Sequence, residues 1–182
     1  AYEKVVDRLL ATPAYGEHMA GYWLSAARYA DSDGFLDDLH DRLLWPYRDW
    51  VVNAFNGNMR FDQFGSWQIA GDLIARHEPS EHAREQTLAT TFLRVGKRTS
   101  ENGAIDEEYR AEYMIDRTDT VGTAFLGLTV GCARCHDHKY DAISHKDYYA
   151  LGAFFNSTDE PGYYAPGAGA SRPGLRCRGP TP

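Results

Sequence analysis

Apolar residues recur along most of this chain at helical spacing. Val5, Val6, Leu9 and Leu10 make a short amphipathic stripe that stops at Pro13-Ala14-Tyr15-Gly16. Residues 17–31 read as a second helix, with Trp23, Leu24, Ala27 and Tyr29 at its apolar positions. The segment 32–44 is acid-rich and loop-like. A helix over 45–55 follows, with Pro46 tolerated in its first turn and Asn56-Gly57-Asn58 as its stop. Shorter helices are expected over 61–70, closed by Gly71, and over 81–93. The longest candidate runs from Asp106 to Val130. Asp106, Glu107 and Glu108 sit in its first turn, where the partial positive charge of a helix end favours carboxylates. Its end, from Thr120 to Val130, is small and apolar and is expected to be buried. A last helix covers 145–155. Strand signals are weak throughout. Residues 161–182 hold five Gly and five Pro and read as an irregular tail or linker. The expected fold is mainly α: an irregular multi-helix domain over 1–160, followed by that tail at 161–182.

Composition narrows the function classes. The chain has 182 residues, 43% hydrophobic and 13% aromatic, which suits a packed globule with a real core. Nineteen basic against 26 acidic residues give a net charge of −7. That balance argues against a general nucleic-acid or acidic-membrane binder, because no basic field would hold phosphate. No apolar run approaches the ~20 residues a bilayer crossing needs, so no transmembrane segment is expected. Three cysteines are too few for a disulfide scaffold. The chain opens at Ala1 directly in a helical pattern and is read as a piece of a longer protein.

The chemistry concentrates in Gly131-Cys132-Ala133-Arg134-Cys135-His136. Cys-x-x-Cys-His is the attachment signature of a c-type haem. On a helical turn, residues three apart share a face, so Cys132 and Cys135 can each form a thioether to one haem vinyl. His136 then offers its imidazole to the iron, and its other ring nitrogen needs an acceptor to fix the tautomer. Haem c is thus the expected cofactor, with Cys132, Cys135 and His136 binding it and His136 ligating the iron. A zinc site remains the alternative, completed by His138, His145 or Cys177. So does a cysteine pair with no cofactor. A thioredoxin-like redox pair lacks its βαβ context.

The surrounding block carries a resemblance. Phe125-Leu126-Gly127-Leu128-Thr129-Val130-Gly131-Cys132-Ala133-Arg134-Cys135-His136-Asp137-His138-Lys139-Tyr140-Asp141 resembles a planctomycete-type cytochrome-c-like domain family of uncertain role. Trp23-Leu24, the run from Ala27 to Ser32, the run from Tyr47 to Val51, the run from Gln68 to Asp72, and Phe154-Phe155-Asn156 support it. The resemblance covers nearly all of residues 2–160. It implies an exported haem carrier, periplasmic or extracellular, in which this domain sits beside other modules, some of them related to polysaccharide breakdown. Two positions depart from the family pattern: Ala142 stands where Pro is common, and Tyr22 where His often precedes Trp-Leu.

The second axial ligand would decide the chemistry. A methionine favours electron transfer; an open position favours ligand binding or peroxide chemistry. Met19, Met59 and Met114 and the remaining histidines are the candidates, and none is singled out. His138 reads as a polar group near a haem edge, and His145 as a surface residue opening the last helix. Arg28, Arg48, Arg117 and Lys139 are candidate propionate partners against ordinary salt bridging. Asp31, Asp33, Asp37 and Asp38 read as a solvated acidic loop, since the calcium-loop pattern fails at Arg42. The leading function is electron transfer with a redox partner protein. The alternatives are a haem enzyme or small-ligand sensor, and a partner- or polysaccharide-binding module with haem as a staple.

Overall fold

The computed structural model describes residues 1–34, 42–78 and 80–164. Seven α-helices lie among these residues, with one isolated bridge, Thr99 to Tyr163, and no strand. The fold is mainly helical. No described helix is long and apolar enough to cross a membrane. The described residues fall into two compact units, drawn chiefly from 1–31 with 43–95 and from 96–164.

The first unit holds α1 (Tyr2–Leu10), α2 (Pro13–Ala26), α3 (Trp45–Asn56), α4 (Phe61–His77), α5 (Ala83–Ala89) and a 3-10 turn at Thr90–Arg94. Pro13 takes the first helical position of α2, where its missing N–H costs nothing. The helix therefore starts earlier than its apolar pattern suggested. It ends at Ala26, and Arg28 takes a left-handed φ of 59°, so Tyr29 lies outside it. Trp23 from α2, Tyr47 from α3 and Gln68 from α4 meet in the core. The Tyr47 hydroxyl donates to Gln68 Oε1 at 2.6 Å, and Trp23 Nε1 donates to the same oxygen at 2.8 Å. Burial pushes the Tyr47 hydroxyl well above its ordinary pKa. Trp50 stacks on Phe64 at 5.3 Å, and Trp23 meets the same ring edge-on at 4.8 Å. Each large side chain buried here contributes about 1.5–3 kcal/mol. By contrast, α1 buries no residue, and its stripe of Val5, Leu9 and Leu10 is exposed.

Gly71 is not the stop it resembles. Helix α4 runs on to His77 through a kink at Ala70, where φ is −139°. A Cβ on Gly71 would lie 2.0 Å from the backbone oxygen of Gln86 on α5. The glycine is there because two backbones touch. Gly71→Ala is expected to lower stability by about 2 kcal/mol, as overpacking does. Urea unfolding of the variant checks this, with no change as the contrary result.

The second unit holds α6 (Asp106–Val121), a π turn at Gly122–Leu126, a 3-10 turn at Val130–Arg134 and α7 (His145–Asn156). The helix expected to reach Val130 ends nine residues earlier. Val130 presses on Gly122, where a Cβ would lie 2.6 Å from the valine methyl, and the ladder slips into a π turn. Gly127 then takes a left-handed φ of 65° and closes the turn. The apolar stretch after Gly122 is consequently not a buried helix: Leu126 is 58% exposed.

Arg117 on α6 and Glu160 form a buried two-pronged ion pair. Beyond it, residues 161–164 are strapped to α6. The Tyr113 hydroxyl donates to Gly162 O at 2.8 Å, while Gly162 N and Tyr163 N donate to Asp106 Oδ1. The rest of the expected tail, including Cys177, lies outside the described residues. In the acid-rich segment, Asp33 is buried, with Arg98 Nε at 3.3 Å and Arg42 Nε at 3.4 Å. Its carboxylate serves arginines rather than a solvated loop. Asp37 and Asp38 lie outside the described residues.

Candidate functional site

The cysteine motif begins in a 3-10 turn, Val130–Arg134, which holds Cys132, and Cys135 caps the end of that turn. Residues three apart eclipse one another in a 3-10 turn, and Cys135, at the cap, is tied to Cys132 by an i to i+3 backbone contact. Cys135 N points back at Cys132 O at 3.5 Å. Both thiols are free and exposed.

The residues between and beside the thiols are tied down. Val130 and Ala133 are buried with Tyr148 of α7, and Leu128 and Ile143 pack on this cluster. A Cβ on Gly131 would lie 3.2 Å from the carboxylate of Asp119 on α6, so the chain passes close to that helix. The Tyr148 hydroxyl donates to Asp119 Oδ1 at 3.0 Å. Burial, and then the Asp119 charge, push that hydroxyl well above its ordinary pKa. Ala133 O accepts from His145 Nδ1 at 2.9 Å, and Arg134 O accepts from the Tyr149 hydroxyl at 3.2 Å. The Arg134 guanidinium donates to Glu112 on α6 at 2.8 Å, which raises its pKa further.

His136 projects from this anchored loop and is exposed. Its Nδ1 lies 2.7 Å from the carbonyl of Asp137. A carbonyl only accepts, so Nδ1 carries a proton, and in the neutral ring Nε2 is the nitrogen with the lone pair. A ligating histidine needs that arrangement. Asp137 Oδ1 accepts the backbone N–H of His145 at 2.7 Å. The next turn is closed by His138, whose Nδ1 accepts from Asp141 N at 2.9 Å and Tyr140 N at 3.3 Å.

Helix α7 supports the loop through a capping box. Ser144 Oγ accepts from Asp147 N at 3.1 Å, and Asp147 Oδ2 accepts from Ser144 N at 3.0 Å. The Ser144 hydrogen bonds hold the Asp147 carboxyl below the usual carboxylate range. A carboxyl lowered on folding stabilises above its unfolded pKa and loses that contribution as pH falls through its folded value. Ser144→Ala is expected to cost about 1 kcal/mol at neutral pH. The difference from wild type narrows in acid. Urea titrations at neutral and acid pH test both statements, and an equal difference at both would contradict the second.

The other candidates have other duties. Met114 packs where α6 passes Gly152, and Thr118 Oγ1 lies 3.8 Å from its sulfur. Arg117 is engaged with Glu160, and Lys139 Nζ lies over the Tyr140 ring at 5.3 Å. Met19, Met59, Arg28 and Arg48 belong to the first unit, where Arg48 pairs with Asp49 at 3.1 Å. Among the described residues, no three His, Cys, Asp or Glu side chains gather as a metal group, as the zinc alternative requires. A single histidine beside a porphyrin needs no such group. His145 and Tyr149 anchor the motif without any motif of their own. Their spacing of four on one helix face was the available signal.

No curated protein and no solved structure matches the chain. Residues 1–160 match the family model described as "PSCyt2: Protein of unknown function (DUF1549)". Since that match spans most of the 182 residues, the chain belongs to this family.

Proposed function

We propose that this chain is a c-type cytochrome domain of an exported protein. Cys132 and Cys135 would hold one haem by thioethers, and His136 Nε2 would ligate its iron. One observation carries the reading. The loop is anchored at Val130, Gly131, Ala133, Arg134 and Asp137, and the two thiols and the imidazole stand exposed between these anchors. The residues present fit the group. The His136 tautomer is the ligating one, and apolar surface lies along the same stretch of chain at Leu126 and at Tyr140, which is 83% exposed. Each thiol would add across one vinyl group, sulfur to one carbon and hydrogen to the other. Attachment therefore consumes no oxidant or reductant but needs both thiols reduced.

When bound, the haem supplies a one-electron couple. Electron transfer to a partner protein is the favoured role because the polar groups around the motif already serve the scaffold. His138 Nδ1 accepts two backbone N–H groups, His145 Nδ1 holds Ala133, Arg134 holds Glu112, and Arg117 holds Glu160. An enzyme would need such a group to move protons. Absorption spectra of the reduced protein with and without carbon monoxide test the role. An unchanged spectrum supports electron transfer at a six-coordinate iron. A carbon monoxide shift overturns it in favour of an open site.

A further inference from the structure

We propose that His145 is the positioning residue of the haem-attachment loop, an inference that rests on the haem reading above. Ala133 and Arg134 are the two residues between the cysteines. They lie at the C-terminal end of a five-residue 3-10 turn, where carbonyls have no partner within the turn. Both carbonyls are taken by one face of α7: Ala133 O by His145 Nδ1, and Arg134 O by the Tyr149 hydroxyl. The His145 ring meets Tyr149 edge-on at 4.9 Å, so the two donors support each other. His145 also reaches the far side of the pair, because its backbone N–H donates to Asp137, the residue after His136. One residue thus bridges from between the cysteines to just beyond the histidine. The loop between these two ties carries Cys135 and His136.

The proton assignment follows from the same geometry. A carbonyl accepts, so His145 Nδ1 is the donor and its tautomer is fixed. The backbone bond to Asp137 survives any side-chain substitution. Replacing the side chain therefore isolates the tie to Ala133. His145→Phe keeps a ring against Tyr149 and removes the donor. His145→Asn keeps a donor, since its amide nitrogen takes the place of Nδ1, and removes the ring.

The test compares wild type, H145F and H145N, each full-length and matured by a c-type haem-attachment host. Covalent haem per chain is read on a denaturing gel. H145F is expected to fall about tenfold, as losses of such outer partners do. H145N stays near wild type. A wild-type yield in H145F overturns the proposal. So does an equal fall in H145N when circular dichroism shows both chains folded. A second readout needs no haem: hydrogen exchange at the Cys135 amide. H145F accelerates it and H145N restores it if His145 positions the loop; equal exchange in all three overturns the claim. If wild type carries no haem, the haem reading fails, and this exchange result still decides the role of His145.

Discussion

On the proposed haem reading, replacing Cys132 and Cys135 together with serine is expected to abolish haem that survives denaturation, while the protein keeps its helical circular dichroism. The expected effect is complete, because serine does not form the thioether and both sulfurs are replaced. The fold tolerates the change because both side chains are exposed and make no core contact, whereas the neighbouring Ala133 is buried. The single variants C132S and C135S each leave one thiol, so a weakened haem stain persists. His136→Ala leaves both thiols in place. On the same reading it would retain attached haem and change the absorption spectrum, because the iron would lose its imidazole. A stain unaffected in the double variant would contradict the attachment site. Unfolding of the double variant would contradict the claim that anchoring and chemistry are divided between different residues of the loop.

Glu160→Ala is expected to lower stability by about 3–5 kcal/mol, the range for removing one partner of a buried ion pair. Both side chains are buried, and Glu160 meets the guanidinium of Arg117 with both oxygens. The alanine variant removes the Glu160 carboxylate from a guanidinium that stays in the interior. The geometry also sets the second consequence. Glu160 precedes the strap at 161–164, so its loss frees the strap from one of its holds on α6. A double variant that replaces both partners with apolar residues of similar size recovers much of the loss, since desolvation of both charges then disappears. Urea unfolding measures these differences. A loss in the alanine variant below about 1 kcal/mol, the range of an exposed pair, would contradict the burial.

Local signals in the sequence located most helices, and contacts distant in sequence decided where their boundaries failed. α3 and α7 were legible to within a residue because their start signals are local: Pro46 inside the first turn, and Ser144 with Asp147 as a cap. The run from Thr120 to Val130 misled because periodicity does not register a valine pressing back on Gly122 or a left-handed Gly127. Gly71 misled for a related reason. A glycine that stops a helix and a glycine that lets two helices touch look the same in one dimension. The proposed attachment motif is visible in the sequence because Cys132, Cys135 and His136 fall within five consecutive positions. The anchors are not. Asp119 and Glu112 precede the motif, His145 and Tyr149 follow it, and only folding brings His145 and Tyr149 to its carbonyls, Glu112 to the Arg134 guanidinium and Asp119 close to Gly131. Arg117 and Glu160 are likewise 43 residues apart.

One haem bound covalently through Cys132 and Cys135 is what the proposed function stands on. The most direct measurement is the intact mass of the purified chain in denaturing solvent, after production in a periplasm that carries haem-attachment machinery. The expected result is the polypeptide mass plus that of one haem. The bare polypeptide mass, from a chain exported and folded alongside that machinery, would contradict it.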